Sequence, residues 1–276
     1  MLVFICFSKR YCKKISLHLI EVMNTLLYHI KAVTKTIEFV SKGKYLLFFI
    51  PGTILTLIYL YFNYIASNIG ESVLFSSDYS WLDWVAGYVN SLIDTAFSVF
   101  SSIFDQIYIF FVITLLSPFN TYLGEKLEEE LTGRKTEGGL TRFITDFLRM
   151  VLLVFIVLII EYGIMAIFGI FSWVLGLSFL NEFVYWIMSA FFFGFSFYDF
   201  ALERDKTSVF SSLGFAFQKP LSMILTGGFF LIIFAIPVAG IPLAPVLTLM
   251  ISTVVYLYIK KRLPLKNNEL KIEKYA

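Results

Sequence analysis

From Val151 to Ile160 the chain reads Val-Leu-Leu-Val-Phe-Ile-Val-Leu-Ile-Ile, ten residues without a polar side chain. The apolar run extends outward to Phe147 and to about Leu177, interrupted only by Arg149 and Glu161. A bilayer core about 30 Å thick is crossed by roughly 20 helical residues, so this stretch is longer than one span requires. Similar runs lie on either side. Tyr45–Ala66 forms one, and a second begins near Ala86 and ends at Ser117-Pro118. Phe183–Ala201 follows, then two shorter arms, Leu221–Ile236 and Leu243–Ile259, separated by Pro237, Gly240, Pro242 and Pro245. The expected fold class is therefore an all-α integral membrane protein, with long transmembrane helices and helical hairpins.

Composition excludes the soluble classes. Of 276 residues 58% are hydrophobic and 15% charged, with a mean hydropathy of +0.80. A soluble domain of this size needs more charge than that to cover its surface. The two cysteines, Cys6 and Cys12, with the two histidines, His18 and His29, form no disulfide framework and no zinc-ligand spacing. No nucleophile elbow, phosphate loop or metalloprotease motif occurs. The chain is accordingly expected not to be an enzyme and to need no cofactor, metal or nucleic acid.

Charge placement gives an orientation. Every Lys and Arg falls before Tyr45, between Lys126 and Arg149, between Arg204 and Lys219, or after Ile259. The connections 63–105 and 172–182 carry acidic residues only. The positive-inside tendency puts the four basic blocks, and both termini, in the cytoplasm. Four crossings and a final hairpin satisfy this order. Each arm of the hairpin is short for a span, and its Pro-rich centre is incompatible with regular helix, so it is either two tilted spans or a re-entrant pair. The N-terminal apolar heptapeptide is read as an extension and not as a signal peptide, since its basic residues follow the apolar run. Met1 and Met23 both remain possible starts.

Two helices have amphipathic spacing. Ile15, Leu19, Val22, Leu26, Ile30, Val33, Ile37 and Val40 recur at steps of three and four, which predicts a helix lying on the inner membrane surface or binding a partner. Before the second span, Ser91, Asp94, Ser98, Ser101 and Asp105 make a polar stripe that either lines a solute path or wets an external segment. Glu161 is the isolated carboxyl of the apolar runs. It either faces a wet cavity, as a proton-coupled carrier would need, or packs where a hairpin turns or copies associate. Asp146 and Arg149, three residues apart, are expected to pair locally.

The most specific segment runs from Leu116 to Gly133. Pro118 ends the preceding helix, Asn120 or Thr121 can cap the next, and Gly133 can stop it. Leu123, Leu127 and Leu131 form an apolar stripe, with the acidic residues expected in water, so the segment reads as an interfacial helix.

Pro118-Phe119-Asn120, with Leu123, Glu125, Leu127, Glu128, Leu131, Thr132 and Gly133, resembles the signature of the CysZ-type sulfate permeases, relatives of the etoposide-induced membrane proteins. Ser189-Ala190 through Tyr198-Asp199-Phe200, Phe217-Gln218-Lys219, Ile236-Pro237 and Ala244-Pro245 are similar to further blocks of that family. The likeness covers roughly Phe39 to Arg262. It implies partly inserted hairpins, a homo-oligomer, and inner-membrane permeation of sulfate or a related small oxyanion. It also suggests a hairpin within Phe147–Ala201, bent near Gly169–Gly176. The family's Gly-x-Arg motif before the first long helix corresponds to Lys42-Gly43-Lys44-Tyr45-Leu46, with Tyr45 and Leu46 at the arginine positions. Lys42, Gly43 and Lys44 are the candidate substrate-binding residues, assisted by backbone N–H groups at a helix start, or else plain surface anchors. Pro118, Phe119, Asn120, Glu125, Glu128 and Gly133 are expected to be structural. The chain divides into a basic N-terminal region (1–44), one membrane domain (45–262) and a cytoplasmic tail (263–276). A non-transporting membrane scaffold is the other function the sequence admits.

Overall fold

The computed structural model of the protein describes residues 9–69, 108–135 and 140–264. Every regular element among them is a helix. In order these are α1 (Lys9–Ser41), α2 (Phe49–Ile69), α3 (108–115), α4 (Ser117–Thr132), α5 (Leu140–Val174), α6 (Asn181–Arg204), α7 (Val209–Gln218), α8 (Pro220–Phe234) and α9 (Gly240–Ile259). The polar stripe at Ser91–Asp105, and the start of the second predicted span, lie outside the described residues.

Among the described residues three helices are long and apolar enough to cross a membrane: Ile144–Val174, Ser178–Arg204 and Gly240–Ile259. The number rises to five if each of two sharply bent pairs counts as one span: α1 with Leu46–Tyr61 at 98°, and α7 with α8 at 97°. The chain is thus an all-α protein built for several membrane crossings.

The three long spans differ in their surroundings. Only 17% of the most apolar window is buried in α5, against 61% in α6 and 83% in α9. Apolar side chains exposed along a helix call for an apolar neighbour. α5 leaves Leu148, Leu152, Phe155 and Ile159 exposed on its outer side, whereas α6 and α9 are the bundle's centre. Residues 190–202 of α6 and 248–258 of α9 are buried without interruption. Around this pair pack α8, α1, α2, α4 and α5.

Contact between α6 and α8 is closest at glycines. A Cβ at Gly194 would run into the Met223 backbone, and one at Gly227 into the Ala190 carbonyl. Without Cβ atoms the backbones approach as small-residue membrane interfaces do. Phenylalanines fill the space further along: Phe193 stacks on Phe110 at 4.4 Å and meets Phe230 at 5.3 Å, and Phe197 meets Phe230 at 5.0 Å.

The long third run is one helix. α5 passes uninterrupted through Gly163 and Gly169, and the chain reverses only at 175–180, where Gly176 adopts φ +68. The bend therefore sits at the far end of the window expected for it. The final hairpin also differs from expectation. α9 starts at Gly240 and incorporates both Pro242 and Pro245. Pro242 lies in the first turn, where its missing N–H has no helical acceptor to lose, so only Pro245 removes an intrahelical bond. The non-helical centre shrinks to 235–239, with Val238 at φ 65.

α1 divides its predicted stripe: Val33 and Val40 pack against the core, whereas Leu19, Leu26, Ile30 and Ile37 point outward with Met23 beside them. Thr25, Ala32 and Thr36 on the other face are buried against the bundle. His29 Nε2 lies 3.0 Å from Thr226 Oγ1, and Lys219 Nζ donates to Glu21 at 2.6 Å, fixing α1 to α8.

Candidate functional site

The residues singled out before the first span sit on a tight turn. Gly43 adopts φ +75 and Tyr45 φ 63. Gly43 N–H donates to the Val40 carbonyl and Lys44 N–H to the Phe39 carbonyl. These bonds close the C-terminus of α1, which corrects the expectation of a helix start with amides open to an anion: a carbonyl-rich helix end occupies them. Both lysines hold carboxylates. Lys42 Nζ pairs with Glu38 at 2.5 Å, and Lys44 Nζ pairs with Glu130, which also accepts from Tyr45 OH at 2.6 Å. Burial pushes the Glu130 carboxyl up, but the hydrogen bonds from Lys44 and Tyr45 outweigh it and leave the group below its ordinary range.

Glu130 belongs to α4, the specific segment of the sequence. That helix starts earlier than expected. Leu116 keeps helical angles (φ −83, ψ −6), so α3 passes into α4 through a single turn residue, and Pro118 occupies the first turn. Asn120 and Thr121 are consequently buried helix residues and not caps. α4 ends on Gly133, whose φ of 73 lets its N–H reach the Glu129 carbonyl. Phe119 is exposed, and Glu125 is half-buried. Leu123 and Leu127 are buried in the protein core, packed toward α9 and α5, so the apolar stripe of α4 faces the bundle, while Phe119 and Tyr122 lie exposed on its other side.

Glu128 is the residue that sequence reasoning misplaced most. It was expected in water; instead its carboxylate and the guanidinium of Arg204 are each 1% exposed and meet at 2.8 Å. Arg204 further donates to the Phe200 carbonyl at 3.1 Å and to Thr253 Oγ1 at 3.3 Å. The guanidinium lies against Gly124, where any Cβ would strike it. A neighbouring carboxylate, Asp205, accepts from Arg134 at 2.8 Å, from Arg262 Nη2 on both of its oxygens at 2.8 and 2.9 Å, and from Tyr256 OH at 2.5 Å. Arg134 and Arg262 also reach Glu128 Oε1, at 3.4 and 3.2 Å. Burial pushes Asp205 up, yet the hydrogen bonds from Arg134, Tyr256 and Arg262 bring it down to about 2. Three guanidiniums against two carboxylates leave this cluster with one excess positive charge.

A second ion pair lies one turn earlier on α6. Arg149 grips Asp199 with two nitrogens at 3.0 and 2.7 Å, the planar fork that lysine lacks. It also donates to the Thr207 carbonyl at 2.6 Å and to Ser212 Oγ at 3.2 Å. Beyond the charge of Asp146 that it also feels, as the three-residue spacing led one to expect, Arg149 thus reaches a bidentate partner on the facing helix. Deeper in the membrane, Ser189 of α6 donates to Glu161 Oε1 at 2.9 Å, with Glu161 fully buried. Glu161 stands well inside α5 and faces α6, so the hairpin's interior holds it, not its turn.

Sequence reasoning thus found Glu128 and Asp199 as motif positions but missed Arg134, Arg204 and Arg262, which entered it only as members of the basic blocks. The available signal was Arg204 itself, the one basic residue of α6, five residues beyond Asp199 at the end of a long apolar run. Among the described residues no group of three or more His, Cys, Asp or Glu is arranged to hold a metal ion. No family model and no curated protein matches the chain.

Proposed function

We propose that this chain is a multi-pass permease of the cell's inner (plasma) membrane, carrying sulfate or a related small oxyanion as the CysZ-type permeases do. The observation that supports it best is the meeting of the two resemblance blocks. The Pro118–Gly133 segment and the helix bearing Tyr198-Asp199-Phe200 join through the Glu128–Arg204 pair, inside a cluster with an excess of guanidinium charge. Arginine forks suit tetrahedral oxyanions. At the Lys42–Lys44 turn, an arriving anion would compete with Glu38 and Glu130 for the two ammonium groups.

In this reading both termini face the cytoplasm and the final hairpin is asymmetric. The 15 residues of α8 reach about 22 Å, short of the hydrocarbon core, whereas the 20 of α9 reach about 30 Å. Lipid, or a second copy of the chain in a homo-oligomer, covers the exposed side of α5. Radiolabelled sulfate uptake into liposomes tests the proposal, with Lys42→Ala/Lys44→Ala beside the wild type. Uptake well above empty vesicles, competed by selenate or sulfite, is expected; flux no faster than empty vesicles for all three anions rejects it. A membrane scaffold is the second reading, favoured by the exposed stripe of α1. A scaffold would leave a sulfate-uptake mutant unrescued.

A further inference from the structure

His29 joins α1 to α8 through a chain of neutral groups. Its Nδ1 lies 2.8 Å from the Thr25 carbonyl, an acceptor, so that nitrogen carries the ring proton. Its Nε2 lies 3.0 Å from Thr226 Oγ1 of α8, which in turn stands 3.3 Å from the hydroxyl of the buried Tyr198 on α6. A threonine hydroxyl has one proton to give. While the ring is neutral, that proton can go to the Nε2 lone pair, and the Tyr198 hydroxyl can donate to Thr226. Once the ring is protonated, Nε2 becomes a donor and the Thr226 proton must turn to Tyr198, which also accepts from Ser222. The phenol then faces two donors, and a cation sits where the partners are neutral.

The charged and titratable groups around this contact are engaged elsewhere. Glu21 of α1 pairs with Lys219 of α8 at 2.6 Å, about two helical turns from His29. Lys31 stands 5.7 Å from the centre of the Tyr258 ring on α9, and that ring stacks on Tyr28. Lys261 follows α9, and α6 contributes Tyr198. Burial pushes the His29 ring below its ordinary 6.5, against the Thr25 and Ser222 carbonyls, which favour the charged form. α1 is not among the three helices long and apolar enough to cross a membrane, so the contact lies outside them. A cavity of about 280 Å³, lined by Glu21, Thr25, Lys219 and Ser222 among others, opens beside the ring's partners and gives protons a route.

We propose that His29 is a proton-operated latch: the neutral ring fastens α1 to α8, and proton uptake releases that contact. The Tyr28–Tyr258 stack holds α1 to α9, so release is a swing of α1 away from α8 and not a loss of helix. The docked ring holds its proton less well than the released one. Docking is therefore complete above the released value of about 6.5 and weakens as pH falls below it, by up to about tenfold per pH unit for one proton. The inference concerns α1 and α8 and not which solute is carried, so the liposome flux result does not decide it.

Double electron–electron resonance on the full-length protein in lipid nanodiscs tests it. Spin labels go on Leu26→Cys of α1 and Ile232→Cys of α8, both exposed positions, with Cys6→Ser and Cys12→Ser removing the native thiols. With His29 in place, one distance is expected at about pH 8 and a second, longer one at about pH 5, the ratio of the two populations changing at least tenfold. His29→Gln, neutral throughout, should change less than twofold. Thr226→Val, which removes the hydroxyl that the ring meets, should populate the longer distance already at about pH 8, and this arm stands if His29→Gln does not fold. His18→Gln, replacing the other histidine, should keep the full response. A distance independent of pH with His29 in place overturns the latch. So does a response that persists in His29→Gln, and its loss in Glu21→Gln would then name the Glu21–Lys219 pair as the source.

Discussion

Arg204 closes a buried ion pair at the end of the most enclosed stretch of α6, and its cost and benefit are both large. Removing one partner from such a pair strands the other charge, with a penalty of about 3–5 kcal/mol, whereas replacing both by apolar groups is often close to neutral. Arg204→Met is therefore expected to lower detergent-solubilised thermal stability severely. Adding Glu128→Leu should restore part of the loss. Strictly additive losses in a double-mutant cycle would show that the two side chains do not act as a pair. Half of this pair was legible in advance: Glu128 stood out by its motif, but amphipathic spacing assigned it to water, because period alone cannot see a cation delivered from a helix 76 residues away. Lys42 and Lys44 were legible as a charged turn; the i,i+4 spacing of Glu38 and Lys42 was open to reading as a pair, whereas Glu130, 86 residues from Lys44, was not.

Helices were easier to read than side-chain partners. The run around Val151–Ile160 gave α5, and the period-3.6 stripe gave α1, though not that Val33 and Val40 of that stripe pack against the core. What escaped was continuity: α3 into α4 through Leu116, α5 through two glycines, and α9 through two prolines. The causes differ: Pro118 and Pro242 stand in first turns where no helical bond is lost, Pro245 sits in the buried α9, and glycine in a long apolar helix weakens it without ending it. Glycines illustrate the difference in consequence. Gly227→Ala places a methyl group where the Ala190 carbonyl stands and should destabilise the protein by about 1–3 kcal/mol or more. Gly214→Ala on α7 meets open space and should stabilise by about 0.5–1 kcal/mol. Thermal melts of both variants check this; a neutral Gly227→Ala would mean that α6 and α8 stand further apart.

At the scale of the molecule, one end of the bundle is fastened by charge. Asp205 ties the connection after α4, the end of α6, α9 and Arg262 together. Its carboxyl lies near 2 in the folded protein, below its ordinary 3.8. A depressed carboxyl contributes fully above the unfolded value and loses its contribution as pH falls through the folded one. Wild-type stability should accordingly fall between about pH 4 and pH 2, and Asp205→Asn should lower stability at neutral pH while flattening that decline. An unchanged acid profile in the variant would assign the loss to other carboxylates.

The deepest helix of the bundle, α9, lies near the C-terminal end of the chain, and it packs on α1, α2, α4, α6 and α8. A ribosome delivers the outer staves long before the central post. Until residues 240–259 leave the exit tunnel, the helices that will surround α9 have nothing to close upon, and lipid must occupy its place. Assembly is thus a late, concerted event that displaces lipid, dominated by contacts distant in sequence. A truncation within α9 removes the middle of the protein and not its edge.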